Sequence, residues 1–185
     1  MSVESDIQAI RTALNGKYDK TGGHITGNVS VAGNISVAGV MSAPRVIGAK
    51  WNANDLAELF ATDMEIPVGY IVMLNTESEE EKYTIAVKGK GPLVGVVSDE
   101  YGFLLGGEPR KGFVPVSLAG RVNVFINGTI KAGEAVTLSE IPGIAVAADI
   151  NDEVIGIAVE TKSVGGIGKV RIKVKWGYKI LQVSK

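Results

Sequence analysis

Residues 27–38 contain one six-residue unit twice, Gly27-Asn28-Val29-Ser30-Val31-Ala32 and Gly33-Asn34-Ile35-Ser36-Val37-Ala38, and a degenerate third copy starts at Gly39. Odd positions from Ile25 to Met41 carry Ile, Gly, Val or Met, and even positions from Asn28 to Ala38 carry Asn, Ser or Ala. This period of two gives one apolar face and one mostly polar face. Gly at every sixth place rules out one flat strand and implies a coiled or bent strand path. Two or three such units have no layer of their own on which to bury Val29, Val31, Ile35 and Val37. Several chains winding together, as in a triple-stranded β fibre, would bury them. The competing arrangement is a β-hairpin with Gly-Asn turns.

The segment before the repeats is helical in pattern. Val3, Ile7, Ile10, Leu14 and Tyr18 are spaced close to the alternation of a coiled-coil seam. Ser5 is a candidate cap for its start, and Asn15-Gly16 a candidate stop. A helix of about 12 residues is marginal alone in water. Its narrow apolar stripe is expected to pack on copies of itself, the alternative being a surface helix on a globular domain.

Of 185 residues, 45% are hydrophobic but only 6% aromatic, and 24 are Gly. Such a chain has material for a core of small and β-branched side chains, and it is neither disordered nor collagenous. The charges balance at 19 against 20, which leaves no broad basic field for nucleic acid. Zero Cys and one His exclude disulfides, thiolate sites and His clusters, so no metal and no cofactor is expected. The N-terminus lacks the continuous apolar stretch of a signal peptide, and no run of about 18 apolar residues predicts a membrane span.

Pro44 to Asn54 reads as a connector, and Asn54 to Phe60 as one or two helical turns capped by Asn54 or Asp55. From Ile66 to Trp176 the pattern is strand and turn. In Val170 to Trp176, Val, Ile, Val and Trp share one face and cations the other. Val122, Val124 and Ile126 alternate before Asn127-Gly128, read as a hairpin turn. A duplication lies within this region. Ile66 to Leu74 and Ile130 to Leu138 both read I-x-x-G-x-x-V-x-L. Val94-Gly95-Val96-Val97-Ser98 follows the first, and Ile155-Gly156-Ile157-Ala158-Val159 follows the second. A compact barrel-like β domain with two related halves is the expected result.

Candidate chemistry is sparse. His24 has no catalytic partner, and Glu77 to Glu81 reads as a solvated hairpin tip. Asp55, Glu58 and Asp63 offer paired carboxylates, although Asp55 with Glu58 also fits a capping box. Ser98-Asp99-Glu100 and Ser117 are candidate nucleophile regions, but the usual Ser triad lacks its His. Self-cleavage by an activated backbone neighbour remains open. Gly102 to Gly107 lacks the Lys and Ser/Thr of a phosphate loop. Lys169, Arg171, Lys173 and Lys175 line one strand face, either simply solvated or in contact with an anionic polymer or a partner protein.

The run LNGKYDKTGGHITGNVSVAGNISVAG resembles shaft-entry segments of bacteriophage tail fibres. The remainder resembles a β-rich module of phage appendage proteins, related to heads that carry the G2-type self-cleaving peptidase. The matching residues are Asp55-Leu56-Ala57-Glu58, Val68 to Val72, Val94 to Ser98 and Val114 to Val122, continuing through Gly133, Pro142-Gly143, Ile155-Gly156 and Gly168-Lys169-Val170. The resemblance implies a trimeric virion fibre or spike with a coiled-coil start, a β shaft and a β head. The shaft is short for a fibre that reaches a host, no removable C-terminal chaperone is expected after Trp176, and no complete self-cleaving centre can be placed.

The expected architecture is mainly β and homotrimeric: a coiled-coil helix over 1–20, a hexad-repeat β shaft over 21–45 and a duplicated β-barrel-like head over 46–185. Ile7, Ile10, Leu14, Val29, Val31, Ile35 and Val37 are the expected assembly residues. The expected function is that of a non-enzymatic virion structural protein, tail fibre-like, assembled in the host cytoplasm. Its partners would be itself, other tail, baseplate or capsid proteins, and a host-surface glycan, without nucleic acid or membrane insertion. A capsid head fibre or decoration protein is one alternative, and a self-processing peptidase-like appendage head is the other.

Overall fold

Helix α1 spans Val3–Asn15, with Glu4 and Asp6 in its first turn where the helix dipole favours them. The computed structural model describes residues 3–15, 27–42 and 55–179, with the side chains of α1 described through Ile10. Ser5 lies inside the first turn, so it does not occupy the cap position expected of it. His24, Gly16, Tyr18 and the 44–54 connector fall outside the described residues, as does the side chain of Leu14. The chain divides into two units, Met1–Val46 and Ile47–Lys185.

In the first unit, residues 27–42 form no strand ladder within the chain; they bend at Ala32-Gly33 and again six residues on at Ala38-Gly39. Extended backbone needs a partner for its N–H and C=O groups, and no second strand among the described residues supplies one.

In the second unit, Asp55–Ala61 forms β1, Ile71–Leu74 β2, Tyr83–Ile85 β3, Leu93–Val97 β4 and Tyr101–Leu105 β5. Phe113–Asn127 forms the long β6, followed by β7 (Ala135–Leu138), β8 (Ala145–Ala147), β9 (Glu153–Ala158) and β10 (Ile167–Tyr178). The first part of β6 pairs with β1 and β4, β4 with β2, and β2 with β3, and a Thr62–Tyr83 bridge returns to the end of β1. The second part of β6 pairs with β10, β10 with β9, β9 with β7 and β7 with β8, and Ile126–Ala145 closes the ring. Two small five-stranded barrels thus share β6 as the last strand of one and the first strand of the other.

The two repeats make the same bonds. Gly69 N–H donates to the Val97 carbonyl and Gly133 N–H to the Ala158 carbonyl, both at 2.8 Å. Val97 N–H returns to Tyr70 and Ala158 N–H to Glu134, both at 2.9 Å. Both glycines hold positive φ, 85° and 91°, which lets the chain turn into β2 and β7. The Val/Ile core runs across both barrels: the larger cluster joins Val122, Val124, Ile126, Val136, Ile155, Val170 and Ile172 to Ile71, Met73, Ala86 and Val96 of the first barrel, and a smaller cluster joins Ile66, Val72, Val97, Val114 and Val116. β5 belongs to neither repeat and lies parallel to β1.

Three expectations change. Within the segment read as helical turns, Asp55 to Phe60 is strand, since β1 begins at Asp55. Asp55, Ala57 and Leu59 point inward in strand alternation, and β5 and β6 pair on its two edges, contacts that a seven-residue helix could not match. Asn127-Gly128 makes no hairpin, because the partners of β6 lie far along the chain in β8 and β10. Trp176 does not continue the inner face of β10; a register shift between Val174 and Gly177 leaves it 39% exposed.

Candidate functional site

Three strands bring together side chains that are far apart in sequence. Asp55 opens β1 opposite Gly120 of β6, Ser117 of β6 faces Ala57 and Val96, and Ser98 follows the last residue of β4. The Ser98 N–H donates to the Pro115 carbonyl at 2.9 Å, and its hydroxyl accepts the Glu100 N–H at 3.4 Å. Asp55, Ser98 and Ser117 are only 6%, 3% and 0% exposed. Burial pushes the Asp55 carboxyl above the ordinary carboxylate range; the neighbouring Ser117 and Ser98 hydroxyls oppose this, and the Glu100 charge adds to it. Neither Asp55 oxygen nor the Ser117 Oγ completes a hydrogen bond. A buried carboxylate left this way is costly, so the neutral acid is favoured to a higher pH than usual. A protonated carboxyl beside a buried hydroxyl can donate a proton or orient a hydroxyl.

The sequence marked these residues separately, as a cap or acid at Asp55 and as nucleophile regions at Ser98 and Ser117. It did not unite them, because the helical reading of β1 hid the inward direction of Asp55. Glu58 lies on the other face of β1, and Asp63 pairs with Lys82 at 2.9 Å. The Glu77–Glu81 segment bridges β2 and β3, where Tyr83 donates to Glu81 at 2.7 Å. Among the described residues, no three His, Cys, Asp or Glu side chains converge as a metal site, and no helix is long and apolar enough to cross a membrane.

The expected assembly residues share a different property. Ile7, Ile10, Val29, Val31, Ile35 and Val37 are between 44% and 70% exposed in the single chain. Leu14 lies on α1 four residues beyond Ile10. The structure thus leaves the apolar faces of α1 and the repeats uncovered.

With the shared-strand barrels in view, the fold has known counterparts. The crystal structure of the pre-mature bacteriophage phi29 gene product 12 is similar over 76% of this chain, at 22% identity and a TM-score of 0.54. This chain spans 24% of that one. The crystal structure of the phi29 gene product 12 C-terminal fragment is similar over 65% of this chain and 100% of its own, at 23% identity and a TM-score of 0.48. The likeness is one of fold. No protein-family model and no curated protein matches the chain.

Proposed function

We propose that this chain is one third of a homotrimeric fibre or spike of a bacteriophage particle, a non-enzymatic structural protein with an exposed β head. The observation that carries the reading is the uncovered apolar set Ile7, Ile10, Val29, Val31, Ile35 and Val37. Burying such a side chain fully contributes about 1.5–3 kcal/mol, and a threefold axis offers each chain two neighbours on which to do so. Leu14 extends the same stripe. α1 starts the trimer as a coiled coil, and the hexads lock it. The fold likeness to a phage gene product and the fibre-like shaft sequence support placement in the virion, after assembly in the host cytoplasm. The leading placement is tail fibre-like, with a host-surface glycan as the head's partner; a capsid head fibre or decoration protein is the alternative. Light scattering at several concentrations tests the assembly, which requires a mass three times 19.4 kDa. A monomer mass together with a concentration-independent melting midpoint overturns it. Cosedimentation with tail-less capsids separates the two placements.

The orphaned Asp55 beside Ser117 favours a second reading, a self-processing head in which that carboxyl assists scission of the chain. Intact mass after expression tests it. A single species at 19.4 kDa counts against processing. Fragments that vanish in both Asp55→Asn and Ser117→Ala would establish it.

A further inference from the structure

A cleft of about 390 Å³ opens where β1 ends and β6 begins. Thr62 to Glu65 form one wall and Arg110 to Val114 the other. Its volume is that of a small-ligand site. The Thr62 N–H donates to the Gly112 carbonyl at 2.8 Å and ties the walls together. Arg110 is fixed in the second wall. Its carbonyl accepts the Phe113 N–H at 3.2 Å, and one guanidinium nitrogen donates to the Gly106 carbonyl at 2.8 Å. The guanidinium carbon stands 3.7 Å from the Phe113 ring centroid. No carboxylate neutralises this cation or Lys111: among the described residues the ion pairs form at Lys82 and Lys88. Asp63 is engaged by Lys82 at 2.9 Å, which leaves Glu65 as the one carboxylate of the cleft outside an ion pair.

A guanidinium held in place before a ligand arrives loses little freedom on binding. Its remaining N–H groups offer a planar fork that matches a carboxylate. Glu65 on the other wall accepts hydroxyl donors, and it repels a dianion such as phosphate more than a monoanion. Met64, 48% exposed, and Phe113 add apolar surface between the charges. A ligand that meets all of these groups carries one carboxylate, several hydroxyls and an apolar ring face. We propose that this cleft binds a hexuronic acid residue of a surface glycan, its carboxylate on Arg110 and Lys111 and its hydroxyls on Glu65. The inference rests on the reading of a host-surface glycan as the head's partner and gives that partner a site and a sugar class.

The test titrates the full-length protein with methyl galacturonide, methyl galactoside, acetate and inorganic phosphate, read by calorimetry and by amide chemical shifts. Methyl galacturonide shifts the amides of Thr62, Glu65 and Arg110 and binds with a Kd on the order of 1 mM. The galactoside, acetate and phosphate each bind about tenfold more weakly or worse, since the first lacks the carboxylate and the others the ring. Arg110→Lys keeps the charge but not the fork and weakens uronide binding about tenfold, and Glu65→Gln weakens it roughly threefold. Lys131→Ala, on the second barrel, leaves it unchanged. Uronide binding no tighter than that of galactoside or phosphate, or undiminished in Arg110→Lys, overturns the proposal. If Arg110→Lys lost the native circular dichroism spectrum, the parent's amide shifts would still decide, since shifts confined to residues outside the cleft overturn it as well. A glycan array probed with the same protein keeps the two failures apart. A neutral glycan bound there without uronide binding removes this site and keeps the glycan reading, whereas no glycan bound removes both.

Discussion

Gly95 and Gly156 occupy the same place in the two repeats, and alanine there should cost the head similar stability. A Cβ at Gly95 would stand 2.3 Å from Val116 Cγ1 and 2.6 Å from the Ser117 carbonyl oxygen. At Gly156 it would stand 2.7 Å from the Lys173 carbonyl oxygen and 2.9 Å from Ile172 Cδ1. In both cases one obstacle is backbone of the strand paired alongside, which cannot yield without shifting the ladder. Overpacking of this kind costs about 1–3 kcal/mol, and rigid backbone places these sites in the upper part of that range. Alanine for glycine at an unstrained, open site instead stabilises by about 0.4–1 kcal/mol through the unfolded state. Gly165 is such a site, since its φ is not positive and an added Cβ meets nothing within 4 Å. Urea unfolding followed by circular dichroism, at one fixed chain concentration, should show Gly95→Ala and Gly156→Ala each weaker by about 2–3 kcal/mol, with melting lowered by roughly 10 °C. Gly165→Ala should be neutral or slightly stabilised. If both repeat variants fell within about 0.5 kcal/mol of the parent, the close approach of β4 to β6 and of β9 to β10 would be wrong, and the twin-barrel argument with it.

Other outcomes follow from the same structure. Val31→Asp with Ile35→Asp places two charges on the proposed threefold seam and should reduce the light-scattering mass from trimer to monomer, while circular dichroism retains the β-head signal. For Asp55, the folded pKa is raised above its ordinary 3.8, so its contribution is fully present below that value and lost as pH rises through the folded pKa. Asp55→Asn should therefore be the more stable form at neutral pH, with the gap closing as pH falls towards 3.8; a gap constant with pH in urea titrations would remove the buried-acid assignment. Lys162 Nζ donates to the carbonyls of Gly128, Val164 and Gly166, tying two turns together. Lys162→Ala should cost about 1–3 kcal/mol and speed hydrogen exchange at Ile130, whose N–H bonds the Lys162 carbonyl. Burial, and next its bond to Glu81, push the Tyr83 hydroxyl up to about 12, so Tyr83→Phe should remove a phase at that pH from the phenolate absorbance titration.

Much of the head was legible because its signals are local. The I-x-x-G-x-x-V-x-L repeats encode a positive-φ glycine followed by an inward Val, Val72 and Val136, and both copies build the same turn and strand. The tight glycines of the second element were visible too, as Val94-Gly95 and Ile155-Gly156. The sharing of β6 was not legible. Val122, Val124 and Ile126 alternate as a strand, but nothing in that alternation says that the strand reaches back to Phe113, with residues 113–120 in one barrel and 121–127 in the other. β1 was misread because Leu56, Leu59 and Phe60 fit a helical face as well as a strand, and a short apolar run does not discriminate between them. That misreading also concealed the candidate site, since Asp55 meets Ser98 and Ser117 only when β1 is a strand.

By itself the sequence determined the periodicities: a helical stripe at Ile7 and Ile10, a hexad beat at Val29 to Val37, and a duplicated β unit after residue 66. These depend on neighbours within a few residues, where side-chain direction follows from backbone geometry alone. The tertiary structure decided which strands meet, which carboxyl is buried and which cations face each other. Those outcomes depend on partners far along the chain, 62 residues apart for Asp55 and Ser117 and 52 for Arg121 and Lys173, and no local pattern encodes such pairings.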